Sequence, residues 1–138
     1  MAEKELVLLK IESITHCLNR IEQKLPNTVA ALKNNYDLQD IISVNLERAV
    51  QLSIDTGLHI LSEDFHIRPS SMGEVFSELA EQKVISVELG ESLKKAVGFR
   101  NISVHEYQKI DWDIVYSIAT KHMMDFKDYI RCIAAFIK

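Results

Sequence analysis

Apolar residues near the start of the chain recur at alternating intervals of four and three positions. The residues that follow this spacing are Val7, Ile11, Ile14, Leu18, Ile21 and Leu25. Because an α-helix has about 3.6 residues per turn, the spacing places all of them along one face. It predicts an amphipathic helix from about Glu3 to Leu25, which Pro26 ends.

Four more helices are predicted from capping residues and apolar spacing. They are Asp37 to about Glu63, a short helix from the capping box at Ser71 to about Gln82, a helix capped by Ser86, and Trp112, capped by Asp111, to about Phe136. The second predicted helix is apolar on two sides, so it should pack centrally. The 138 residues include only 4 Gly and 2 Pro, and no convincing strand is visible. We expect an all-α, up-and-down bundle of about five helices, forming a single domain over residues 1–138.

The charge balance argues against a general nucleic-acid-binding surface. The chain has 16 Lys and Arg against 20 Asp and Glu, a formal net charge of −4. Proteins that bind nucleic acid through their overall field usually carry a basic stripe. Any contact with RNA should therefore come from a local site.

Two cysteines, Cys17 and Cys132, lie among apolar helical positions near opposite ends of the chain. This placement favours buried free thiols over a disulfide. No apolar run approaches ~18 residues, and the first residues are too charged for a signal peptide. We expect a cytoplasmic protein.

The most informative segment carries Arg100, Asn101, His105 and Tyr107 near the end of the fourth predicted helix. A guanidinium can grip two phosphate oxygens at once, and an imidazole can move a proton near neutral pH. These groups suit chemistry on a phosphodiester. Tyr107 should lie just past the helix end, with its hydroxyl in water.

Helical geometry leaves open how these groups would cooperate. Arg100 continues the inward apolar stripe, so its charge needs an acidic partner, or the stripe opens there into a cleft or a subunit interface. Five positions along a helix, Arg100 and His105 point about 140° apart. Either the helix ends before His105, or a second copy of the chain completes the site. A structural alternative is an internal salt bridge with a histidine at the helix C-terminus.

Glu47 and Arg48 on the second predicted helix are further candidates. They can form an ordinary surface pair, or one of them can brace the Arg100 and His105 cluster. The other histidines have no metal-site spacing, and we expect His122 to be a core histidine of the last helix. A Gly-rich phosphate loop and a nucleophile elbow are both missing from the sequence.

Residues 97–107 resemble the signature of HEPN-domain proteins in their HepT form: Arg, a polar residue, a short spacer, His, any residue, Tyr. The segment 47–49 and the stretch 75–96 are also similar to that family, and the likeness covers roughly residues 37 to 120. The resemblance implies a helical homodimer that brings two copies of the motif together in one cleft.

The same resemblance implies an activity and a partner. Members of this form are toxins of bacterial toxin–antitoxin pairs and metal-independent endoribonucleases that need no cofactor. Their antitoxin is a nucleotidyltransferase, MntA, which adenylylates the motif Tyr. By this likeness Arg100, Asn101 and His105 are catalytic, the ribose 2′-OH attacks the phosphorus, and Tyr107 is modified. The alternatives are a non-catalytic HEPN-like module that binds a nucleotide or docks a nucleotidyltransferase, and a plain helical adaptor.

Overall fold

The computed structural model describes residues 3–138, and within this range it contains seven α-helices and one 3₁₀ turn. Their bounds are α1 Lys4–Lys24, α2 Val29–Lys33, α3 Tyr36–Phe65, α4 Met72–Glu81, α5 Val87–His105, the 3₁₀ turn Tyr107–Lys109, α6 Trp112–Lys121 and α7 Met123–Phe136. No strand occurs in this range. The prediction of an all-α bundle is confirmed.

Helix α3 is central, as its two apolar sides predict. It packs along α1 on one side and against α4 and α5 on the other, and it also contacts α2. The apolar face of α1 is buried at Val7, Ile14, Leu18 and Ile21. Burying one such side chain stabilises a fold by about 1.5–3 kcal/mol, so this face holds α1 on α3.

Tyr129 of α7 lies at the centre of the core, with none of its surface exposed. Its hydroxyl donates to the Ser53 carbonyl oxygen of α3 at 2.7 Å, and its ring meets Phe76 of α4 edge-on. Gly57 lets α3 approach this point, since a Cβ there would lie 2.8 Å from the Tyr129 hydroxyl oxygen. Three helices therefore meet at one aromatic ring.

The predicted N-caps are confirmed by their hydrogen bonds. Ser86 Oγ accepts from the Leu89 amide at 3.1 Å, and Asp111 Oδ1 accepts from the Asp113 amide at 2.9 Å. Ser71 Oγ accepts from the Glu74 amide at 3.3 Å. In a standard capping box the Glu74 carboxylate would accept from the amide of the N-cap residue, Ser71. Here it accepts from the amide and hydroxyl of Ser70, one residue earlier.

Two predictions about helices were wrong. A short helix, α2, lies in what was expected to be a plain connection, with Thr28 as its N-cap. The last helix is not continuous, because it breaks at His122 into α6 and α7. His122 is not a core residue: its side chain is 46% exposed and its Nδ1 lies 3.0 Å from the Asp125 carboxylate.

Both cysteines are free thiols, as expected, although only Cys17 is buried and Cys132 is partly exposed. Burial raises the pKa of the Cys17 thiol, while the nearby Arg48 lowers it. No helix within residues 3–138 is long and apolar enough to cross a membrane.

Candidate functional site

Helix α5 carries Arg100, Asn101 and His105, and it continues without interruption to His105. The Glu106 amide donates to the Ile102 carbonyl at 2.7 Å, which closes the last helical turn. The alternative that the helix ends before His105 is therefore wrong. Within one chain, Arg100 and His105 stay about 140° apart around the helix axis.

Arg100 is half-buried and has no acidic partner among residues 3–138. Its Nε is buried and makes no hydrogen bond, and its Nη1 reaches the Asn101 side-chain oxygen at a weak 3.4 Å. A buried guanidinium hydrogen without an acceptor is costly. The structural alternative of an internal salt bridge therefore has no support among residues 3–138, and the Arg100 guanidinium is left without a protein counter-ion there.

His105 and Tyr107 border one shallow hollow of about 430 Å³ at the end of α5. Its other lining residues are Val104, Glu106, Gln108 and Lys109. His105 and Asn101 are both exposed, so solvent and ligands can reach them. Arg100 does not line this hollow, so one chain brings together His105 and Tyr107 but not all the predicted groups.

Tyr107 opens the 3₁₀ turn after α5, and 43% of its surface is exposed. Solvent reaches the residue, as expected, but its hydroxyl also has a protein partner that the sequence did not predict. The hydroxyl donates to Asp40 Oδ1 on α3 at 2.8 Å, and the ring packs edge-on against Trp112 with centroids 6.1 Å apart. Partial burial and the Asp40 carboxylate raise the pKa of Tyr107, while the nearby Ser43 hydroxyl lowers it.

Glu47 and Arg48 lie on different sides of α3. Glu47 accepts a hydrogen bond from the Ser103 hydroxyl of α5 at 3.0 Å, so it contacts the motif helix without touching Arg100 or His105. Arg48 borders a groove between α1 and α3, beside His16 and Cys17. The structure does not bring Arg48 to the motif.

Asp40, Ser43 and Ser103 were not identified from the sequence as neighbours of the motif. Each contact joins residues that are far apart in the sequence: Tyr107 and Asp40 are 67 positions apart, and Ser103 and Glu47 are 56 apart. No local spacing encodes such a pair. Within residues 3–138, no group of three or more His, Cys, Asp and Glu side chains is placed to hold a metal ion.

Comparison with known proteins gives a family match over most of the chain. Residues 14–133 match the family described as Ribonuclease HepT-like. The mRNA nuclease HepT of Shewanella oneidensis is 35% identical over 131 residues, which cover 95% of this chain and 98% of that protein. The tRNA nuclease HepT of Aphanizomenon flos-aquae is 24% identical over 135 residues, covering 98% and 92%.

Solved structures agree with these relatives. One is the tri-AMPylated Shewanella oneidensis HEPN toxin in complex with its MNT antitoxin. That chain superposes with a TM-score of 0.89 and 34% identity, and the match covers 96% of this chain and 99% of that one. A toxin–antitoxin structure with AMP-PNP gives a TM-score of 0.90 at 34% identity, with the same coverage.

Proposed function

The chain belongs to the HepT-like ribonuclease family, and from that membership we propose that Arg100, Asn101 and His105 form its catalytic site. The protein is an endoribonuclease and the toxin of a toxin–antitoxin pair. One observation supports this site above the others. Arg100 is a half-buried cation with no acidic partner among residues 3–138 and a buried Nε without an acceptor, next to the exposed Asn101 amide and five positions before the exposed His105 imidazole.

Arg100 acts on the phosphate. Its guanidinium presents parallel N–H donors that match two oxygens of a phosphodiester. When the ribose 2′-OH attacks the phosphorus, negative charge grows on these oxygens, and a fixed cation stabilises that charge more than the ground state. Asn101, which already contacts Arg100 Nη1, orients a phosphate oxygen or His105.

His105 handles the protons. The 2′-OH loses its proton as its oxygen bonds to phosphorus, and the 5′-oxygen of the next nucleotide gains one as its bond to phosphorus breaks. The products are a 2′,3′-cyclic phosphate and a free 5′-hydroxyl. An imidazole can serve in either step, an effect typically worth about 10²–10⁴ in rate. No step in this sequence requires a metal ion.

A homodimer would complete the site. Because Arg100 and His105 diverge on one helix, a two-fold axis beside α5 could place His105 of one copy opposite Arg100 of the other. Exposed apolar side chains lie on the motif segment of α5 and on α3: Ile102 is 39%, Val104 42% and Val44 38% exposed. Covering such residues would favour association of two copies.

We also propose that a nucleotidyltransferase antitoxin silences the enzyme by adenylylating Tyr107. The supporting observations are its exposure, its position in the same hollow as His105, and the AMPylated state of the Shewanella oneidensis toxin. An adenylate at this position would occupy the hollow where substrate meets His105.

The experiment is cleavage of RNA by the purified chain in the presence of EDTA. Parent protein should cut RNA, and His105→Ala and Arg100→Ala should each lose at least about a hundredfold in rate. His16→Ala, an exposed histidine on α1, is the matched control and should cut normally. Circular dichroism checks that all variants keep their helices.

Two results would overturn the assignment. The first is His105→Ala cutting at the parent rate. The second is a parent protein that binds RNA or nucleotide but cuts none, which is the behaviour expected of the non-catalytic module.

A further inference from the structure

The Tyr107 hydroxyl and the Asp40 carboxylate form the one hydrogen bond, among those described in residues 3–138, that joins the 3₁₀ turn to α3 through side chains. Their oxygens lie 2.8 Å apart, within the range at which a proton can pass between them. Asp40 is exposed, so it can exchange a proton with water. The Tyr107 ring also packs edge-on against the Trp112 ring, which limits its movement.

Adenylylation of a tyrosine requires its oxygen to become a nucleophile. A phenol is weakly nucleophilic while it keeps its proton, and enzymes commonly activate such a group with an adjacent general base. Burial and Asp40 raise the pKa of Tyr107, so the group holds its proton at neutral pH. The proton must therefore leave as the new bond forms.

We propose that Asp40 is the general base for the adenylylation of Tyr107, so that the toxin supplies a catalytic group for its own inactivation. This inference rests on the proposed function, in which Tyr107 is the modified residue. It does not depend on how RNA is cleaved.

The step balances with ATP as the only co-substrate. The Tyr107 oxygen bonds to the α-phosphorus of ATP held by the nucleotidyltransferase. The bond between that phosphorus and the oxygen bridging to the β-phosphate breaks, and pyrophosphate leaves. The phenolic proton passes to Asp40 Oδ1 and then to water.

A positioning role for Asp40 is the nearest alternative, and substitution can separate it from proton transfer. Asparagine is nearly the same size and keeps a side-chain oxygen that can accept the Tyr107 hydrogen bond, but it cannot take up the proton. Asp40→Asn thus preserves orientation and removes basicity. Asp40→Glu keeps a carboxylate and should recover part of the rate.

The experiment measures adenylate transfer from ATP by the cognate nucleotidyltransferase, with intact mass and peptide mapping as readouts. Asp40→Asn should slow transfer to Tyr107 by about a hundredfold or more, with the KM for ATP unchanged. Asp40→Glu should be at least about tenfold faster than Asp40→Asn. Asp37→Asn, an exposed acid in the first turn of the same helix, should react like the parent.

The outcomes distinguish this inference from the proposed function. If the parent carries adenylate on another residue, the assignment of Tyr107 fails, and the role of Asp40 fails with it. If Tyr107 is modified and Asp40→Asn reacts at the parent rate or faster, only the role of Asp40 is overturned. Loss of the toxin–antitoxin complex in Asp40→Asn would also overturn it, since Asp40 would then be a docking residue.

Discussion

The Ser103 hydroxyl of α5 donates to the Glu47 carboxylate of α3 at 3.0 Å. Ser103 is 7% exposed, and it lies between Arg100 and His105 on the motif helix. The bond fixes the rotation of the last turns of α5 against the central helix. It therefore sets the directions in which Arg100 and His105 point.

Glu47→Ala should weaken both the fold and the enzyme. The buried Ser103 hydroxyl would lose its acceptor, which costs about 1–3 kcal/mol of unfolding free energy, and the motif would lose its fixed orientation. Denaturant unfolding and RNA cleavage measure the two effects. Glu63→Ala, an exposed acid near the end of the same helix, should change neither. Equal stability of Glu47→Ala and parent would show that the hydrogen bond does not hold α5 in solution.

Mixing two inactive variants tests the shared site. A dimer of one Arg100→Ala chain and one His105→Ala chain retains one site with both groups, if each site draws Arg100 and His105 from different copies. About half the dimers formed from an equal mixture would be of this kind. The mixture should recover roughly a quarter of the parent cleavage rate. No recovery, with mixed dimers verified by mass, would contradict the shared arrangement.

Substitution by alanine should lower the stability of the fold at Gly57 and raise it at Gly98. At Gly57 a Cβ would lie 2.8 Å from Leu79 Cδ1, Val75 Cγ1 and the Tyr129 hydroxyl, and overpacking of this kind costs about 1–3 kcal/mol. At Gly98 a Cβ would meet nothing within 4 Å, and alanine in a helix gains about 0.5–1 kcal/mol over glycine. Thermal unfolding should show a lower Tm for Gly57→Ala and a higher one for Gly98→Ala. A stabilised Gly57→Ala would mean that the helices there are less closely packed.

The parts of the fold that could be predicted are those encoded by local spacing. The face of α1 and the caps at Ser86 and Asp111 follow from residues within a few positions of each other. Helix α2 is only five residues long, which is too short for a helical spacing of apolar residues to be recognised. The break at His122 has no Gly or Pro to mark it, and apolar residues continue on both sides.

The candidate site also has a part that local sequence spacing predicts and a part that only the packing of helices determines. Arg100, Asn101, His105 and Tyr107 are close in sequence, so their residue types could suggest phosphodiester chemistry. The bond from Tyr107 to Asp40 depends on how α3 and α5 pack, which no local pattern specifies. Glu47 and Arg48 are neighbours, yet about 100° apart on α3, and only the packing of α5 decides which one contacts the motif helix.

The central claim is that adenylylation of Tyr107 switches off an RNA-cleaving site next to it. A phosphodiester charge about 5 Å from a substrate phosphate repels it by about 3 kcal/mol at an effective dielectric of 20, roughly a hundredfold in binding. The share of the inhibition that comes from charge repulsion should shrink at high salt, whereas the share that comes from the bulk of the adenylate should not.

The most direct measurement is the rate of RNA cleavage before and after incubation with the cognate nucleotidyltransferase and ATP. Tyr107→Phe serves as the chain that cannot be modified. We predict that the parent loses at least about a hundredfold in rate as mass spectrometry shows adenylate on Tyr107, while Tyr107→Phe gains no adenylate and keeps the rate it had before incubation. Undiminished cleavage by parent protein fully adenylylated on Tyr107 would contradict the account.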